Sequence, residues 1–336
     1  MNADQVEGAA APAAPLAGRF RWVRWAVTAG VLVAIAWFAR GFDFARLGAA
    51  LRGAAWPLIA LAAFLNLTLN SAARTMRWRA LLDADPHSGR PVRFWTLAGI
   101  LLESQAMNNV LPFRVGEAVR TIALNERTGH PVGIAIAAQV AEKPVEIASL
   151  ALVGLPIVLS QRTSGMLVSR WFLLVGVVLG AAAILAVLRR TRLRGRDGEG
   201  WARRSARQML DALRVVDRPR GAWLASLAWA VASDLVDLVS IGLCAVAVGI
   251  DAGPAAWCAV LVAVNVAIAV PSAPAQLGVH EAGAVLVLVG LGVDREQALA
   301  FALLYHGAHL LPSTLAGGAA LATTALRERR RREVLP

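Results

Sequence analysis

Long stretches of this chain carry little or no charge: 22–39, 54–73, 145–160, 171–188, 222–250 and 298–326. A helix needs roughly 20 predominantly apolar residues to cross the hydrocarbon of a bilayer. Each stretch meets or approaches that length, and the last two are long enough to tilt or to run past the interface. Only 17% of the 336 residues are charged and 57% are hydrophobic, whereas a soluble domain keeps about a quarter of its residues charged to wet its surface. The sequence therefore predicts an all-α integral membrane protein, a polytopic helical bundle with almost nothing that folds as a soluble domain.

The net charge of +12 is nearly all arginine, Lys143 being the sole lysine. A basic chain can bind nucleic acid, but these arginines stand between apolar stretches instead of gathering on one soluble face. The excess of positive charge in cytoplasmic loops explains them and excludes a nucleic-acid partner. Clusters at 19–24, 74–93, 189–220 and 327–332 read as cytoplasmic anchors. Trp22, Trp56, Trp95, Trp171, Trp223 and Trp257 stand near segment starts, as interface anchors do. The division expected is a disordered tail over 1–18, one membrane domain over 19–326 with a basic cytoplasmic loop at 189–220, and a basic cytoplasmic tail over 327–336. The first apolar run is too long for a signal-peptide core and is expected to stay as the first membrane helix. Cys244 and Cys258 lie in apolar surroundings without metal-ligand spacing and read as small buried hydrophobes.

Counting crossings gives a less obvious expectation. With 189–220 inside, the helices at 171–188 and 145–160 run in opposite senses, which leaves 113–131 and 74–93 both cytoplasmic. The segment 94–112 then enters and leaves by one face, as a re-entrant hairpin ending near Asn108-Asn109-Val110-Leu111-Pro112. The second half repeats this upside down: 257–291, broken by Pro271-Ser272-Ala273-Pro274, enters and leaves from outside. Broken helices survive at membrane depth only where protein or a water-filled cavity surrounds them. Oppositely oriented interruptions point to a transporter site between inverted repeats. The breaks share a weak text, Pro112 to Gly116-Glu117-Ala118 against Pro274 to Gly278 and Glu281-Ala282.

An ionisable group at the centre of a membrane helix costs about 2.5–3.5 kcal/mol on insertion scales and needs a reason. Glu103, Glu117, Arg120, Glu142, Lys143, Glu146, Asp234, Asp237, His280, Glu281, His306 and His309 are the candidates. Glu117/Arg120, Glu142/Glu146, Asp234/Asp237 and His306/His309 fall three or four apart and share a helix face. Glu117/Arg120 reads either as a local ion pair or as a head-group contact, with Arg120 or Arg114 on a lipid phosphate. Glu142-Lys143-Pro144-Val145-Glu146 reads either as a wet helix start or as a buried network facing the first hairpin. Asp234 and Asp237, well inside an apolar helix, read as functional. His280-Glu281 follows the second break, where a half-helix would turn free N–H groups toward an anion. His306 and His309 read as bundle-core histidines. Glu117 and Glu281 stand in equivalent places and are candidates to carry a proton. No catalytic or metal-binding motif is present, so catalytic residues, metal and cofactor are all expected to be none, and the lack of a P-loop rules out ATP hydrolysis by this chain.

Asn108-Asn109-Val110-Leu111-Pro112-x-Arg114-x-Gly116-Glu117-x-x-Arg120 resembles a signature of the lysylphosphatidylglycerol synthase transmembrane family, which includes the flippase part of the bacterial multiple peptide resistance factor. Glu142-Lys143-x-x-Glu146 is similar to that family's acidic-basic-x-x-acidic motif, with the basic and the second acidic member conservatively changed. Pro271-Ser272-x-Pro274-x-x-Leu277-Gly278-x-x-Glu281 resembles its proline- and glycine-rich second motif, with Gln276 standing where glycine is usual. Tyr305-His306 and Leu311-Pro312 through Gly317-Gly318 are similar to its last helix. The resemblance spans about 20–325 and lacks the soluble aminoacyl-transferring domain of the fused members. It implies a flippase of the bacterial inner membrane moving an anionic, polyprenyl-linked or hopanoid-type lipid; the arginine clusters place both termini in the cytoplasm, and the chain is expected not to be an enzyme. The rival is a scaffold that recruits a separate lipid-modifying enzyme or glycosyltransferase. Such an enzyme and a second copy of the chain are the protein partners compatible with either reading.

Overall fold

Prolines punctuate the helices. Trp56-Pro57 opens one and Gly253-Pro254 another, each with proline in the first turn, where its missing N–H has no intrahelical partner to lose. Leu111, directly before Pro112, is extended, as the proline ring requires of its predecessor. The computed structural model describes residues 43–84, 91–111, 115–159, 219–269 and 274–334, and among these all regular structure is helical, without a strand.

In chain order, α1 (Phe44–Gly53) leads into α2 (Trp56–Asp83), whose turn Asn66–Asn70 is π-helical. Then come α3 (Phe94–Val110), α4 (Val115–Thr128) and α5 (Val132–Leu159). The second half holds α6 (Arg220–Ala247), α7 (Gly253–Ile268), a 3-10 turn at Pro274–Gln276, α8 (Val279–Gly290) and α9 (Arg295–Val334). Three of these, α2, α6 and the Arg295–Arg327 part of α9, are long and apolar enough to cross a membrane. Their outward faces carry Leu61, Phe64 and Leu69, then Leu235, Val239 and Val246, then Leu311 and Leu315, all exposed. A surface helix of a soluble protein puts charge on that face; these present hydrocarbon.

The hub is α6, packed on α2, α5, α7 and α9, while α9 lies against α3, α8 and α2. One apolar core joins α2 to α5 through Trp78, Leu97, Ile100, Leu124 and Ala138. Across the hub, α7 buries Val260 through Val264, and Leu288 and Phe301 are buried on α8 and α9. The arms α3 and α4 pack against each other across the first break, α7 and α8 across the second, and the 3-10 turn of the second break packs on α3. At 1.5 Å per residue, the 17 residues of α3, 16 of α7 and 12 of α8 reach about 26, 24 and 18 Å. Each falls short of a hydrocarbon core about 30 Å thick.

Some boundaries differ from the sequence reading. The run at 54–73 continues to Asp83, so Arg74, Arg77 and Arg79 lie on the helix and not in a loop after it. Arg77 is tolerated there because it finds carboxylates. The run at 145–160 belongs to a helix that begins at Val132 and passes through Pro144. The basic stretch from Arg327 continues α9 as far as Val334. The tail 1–18, the runs 22–39 and 171–188, and the loop 189–218 lie outside the described residues, as do site candidates Pro112, Arg114 and Pro271.

Candidate functional site

Charge enters the apolar bundle on α2. Arg77, buried, donates from Nη2 to Glu146 Oε1 at 2.6 Å, and its Nε stands 3.7 Å from Glu142 Oε1. Glu142 and Glu146 are one turn apart on α5, so both reach the same face. Arg120 on α4 grips Glu142 as well, with Nη1 2.7 Å from Oε2 and Nη2 3.0 Å from Oε1. This is the two-pronged geometry in which a guanidinium fits a carboxylate best. The guanidinium carbon lies 3.8 Å from the centre of the buried Trp78 ring, within cation–π range. Of the two readings of 142–146, the buried network is the one observed: Glu142 is 3% exposed, in mid-helix. Lys143 is exposed and meets Glu146 Oε2 at 3.2 Å. Glu142 fills the Arg120 fork. Glu117 sits in the first turn of α4 and is exposed.

The π-helical turn of α2 brings a second set of polar groups to α6. Asn70 Nδ2 donates to Asn66 Oδ1 at 3.1 Å and to Asp237 Oδ1, and Ser233 Oγ donates to Asn70 Oδ1 at 3.0 Å. Asn66 Nδ2 donates to Ser240 Oγ at 3.1 Å. A π-turn inside an α-helix is a common mark of a functional position. Asp237 Oδ1 also stands 3.5 Å from His309 Nε2 on α9. Asp234, one turn before Asp237, lies within electrostatic reach of Arg77 and Arg74.

At the second break the chain turns through left-handed backbone. Ala275 and Gln276 have φ of 56° and 59°, and Gly278 has φ of 87°. Ala275 and Gln276 stand directly after Pro274, where the resembled motif carries its glycine. Both hold the conformation that glycine adopts without strain. Glu281 Oε2 accepts from Gly278 N at 2.7 Å and so caps the start of α8. Its Oε1 lies 2.6 Å from His306 Nδ1 on α9. The His280 ring stacks on His306, centroids 4.1 Å apart. Tyr305 touches the ring of His280 and, edge-on, that of His309 at 4.8 Å. A polar path thus runs from Glu281 through α9 and Asp237 to the π-turn. The anion expected at the start of α8 is supplied by the chain itself, as Glu281.

The first break is held differently. Asn108 Oδ1 accepts from Gly116 N at 2.7 Å, and Ser104 Oγ donates to Gly116 O at 2.7 Å. A side chain on Gly116 would place its Cβ 2.0 Å from Ser104 O, so only glycine lets α4 come this close to α3. Asn109 Nδ2 donates to Ser313 Oγ and Thr314 Oγ1 on α9. Glu103, 1% exposed, takes Arg127 Nη2 at 2.6 Å and Thr324 Oγ1 at 3.2 Å.

Sequence reasoning missed Arg77, Trp78, Asn66 and Asn70. Arg74 and Arg77 repeat the one-turn spacing of the acidic pairs they face, a signal hidden by reading every arginine there as an anchor. A model of the lysylphosphatidylglycerol synthase TM region matches residues 22–317, a stretch that includes both breaks and all the predicted site residues. No curated protein matches the sequence.

Proposed function

The chain belongs to the family of the lysylphosphatidylglycerol synthase TM region, membrane proteins with a lipid-related role, and from that premise we propose that it is a flippase for an anionic lipid in the bacterial inner membrane. The observation that carries this reading is the path of ionisable and polar groups set inside apolar helices, between broken helix pairs too short to span. Ionisable groups at membrane depth line substrate or ion pathways, and broken helices at depth require a polar or proteinaceous surrounding. In this reading both pairs are re-entrant and related by an inverted repeat, the termini are cytoplasmic, and the chain itself makes and breaks no covalent bond.

Arg74 is the residue assigned to the head group. It stands one turn from Arg77 and within electrostatic reach of Asp237 and Glu146. It makes no hydrogen bond or ion pair among the described residues. Arg77 and Arg120 are engaged by carboxylates, so Arg74 holds the guanidinium fork still available to a phosphate.

The test is reconstitution of the purified protein into vesicles containing a fluorescent phosphatidylglycerol, with dithionite quenching to follow its exchange between leaflets. Exchange well above that of protein-free vesicles is expected, with Arg74→Ala losing at least tenfold and Arg74→Lys falling between. Exchange no faster than in protein-free vesicles, for this lipid and for a polyprenyl phosphate, would favour the accessory-subunit reading instead.

A further inference from the structure

We propose that His280, Glu281 and His306 form a buried binding site for a divalent transition-metal ion of the zinc type. Each offers one ligand atom, and the three atoms lie within 4.8 Å of one another. All three residues are buried, at 7%, 5% and 6% exposure. Two imidazoles and a carboxylate are the donor set that zinc and the other late first-row ions favour.

An independent observation points to a ligand. His280 Nδ1 is buried and has no hydrogen-bond partner among the described residues. A buried polar atom without a partner is rare and calls for an explanation; a bound ion supplies one. Glu281 Oε1 accepts from His306 Nδ1 at 2.6 Å. An ion takes the place of the proton in that bond, so that His306 Nδ1 and Glu281 Oε1 both become ligands.

The geometry needs a local rearrangement of side chains. Ligand atoms around an ion held at about 2.0–2.1 Å are roughly 3.3 Å apart in a tetrahedron. The stacked rings are 14° from parallel, so one must turn about its last side-chain torsion to share an ion with the other, and that torsion is soft. The start of α8 carries partial positive charge, which opposes a cation. The Glu281 carboxylate, already bonded to Gly278 N there, offsets it.

The site shares Glu281 and His306 with the polar path, whereas the head-group residue Arg74 lies on α2, so zinc content and lipid exchange test the two proposals separately. The test uses full-length protein in detergent, purified without a polyhistidine tag and stripped with chelator. Zinc content after dialysis is read by plasma mass spectrometry, and Co2+ is added separately to read tetrahedral visible absorption. About one tightly held ion per chain is expected in the native protein and in His130→Gln. His306→Gln and Glu281→Gln should weaken binding at least tenfold. Since both also remove the Glu281–His306 bond, His280→Phe is the cleaner probe: it keeps a flat ring in the stack and removes the nitrogens. Normal thermal unfolding of that variant without metal, together with loss of the zinc-induced rise in melting temperature, supports the site. Absence of stoichiometric zinc from the native protein overturns it, as does undiminished binding in His280→Phe.

Discussion

Arg120 and Glu142 are the pair on which residue-scale energetics turn. Breaking a buried ion pair by removing one partner costs about 3–5 kcal/mol, because the other charge stays buried. Arg120→Ala should therefore lower the melting temperature in detergent sharply, whereas Arg120→Met combined with Glu142→Leu should cost less than either single change. A double variant as damaged as the sum of the singles would mean the two side chains act independently. Arg120→Lys keeps the charge but loses the fork and the flat contact with Trp78, and should fall between. The acidic half of this network was legible in the sequence, since Glu142 and Glu146 are one turn apart in apolar surroundings. The basic half was not. Arginines near segment ends have a ready explanation as orientation anchors, and nothing local distinguishes Arg77, which reaches into the bundle, from Arg79, which pairs with Asp83 on its own helix.

At the scale of elements, the breaks are where sequence and structure agree best, because proline acts locally. Leu111 must be extended whatever surrounds it. What the prolines do not dictate is how closely the arms then approach. Gly116→Ala would drive its Cβ to within 2.0 Å of Ser104 O, a backbone atom that cannot swing aside. It should cost about 1–3 kcal/mol, as overpacking does, read as a lower melting temperature with helix content unchanged. The second break predicts the opposite sign. A non-glycine residue in left-handed backbone costs roughly 1–2 kcal/mol, and glycine gives back part of that through unfolded-chain entropy. Gln276→Gly should stabilise by about 0.5–1 kcal/mol; an unchanged or lower melting temperature would mean Gln276 is not strained. The start of α5 was illegible for a complementary reason. Pro144 looks like a first-turn residue, and only the contacts of Glu142 with α2 and α4 explain why the helix runs on through it.

For the whole molecule, the all-α membrane class followed from length and apolarity alone, while topology required counting loops. That count makes a prediction of its own. Cysteines at exposed positions Arg93 and Glu126, which flank the first helix pair, should react with the same membrane-impermeant maleimide from the cytoplasmic side. Labelling from opposite sides would remove both the re-entrant hairpin and the inverted repeat. What no loop count could reveal is that α9 holds both breaks at once. It bonds Asn109 beside the first through Ser313 and Thr314, and Glu281 beside the second through His306. Those attachment points lie about two helical turns apart on one helix, with Pro312 between them, at about 1.5 Å per residue. A rod that short does not stretch. In the proposed transport cycle, sliding or rotation of α9 that loosens one break would act on the other as well, so the two would move together.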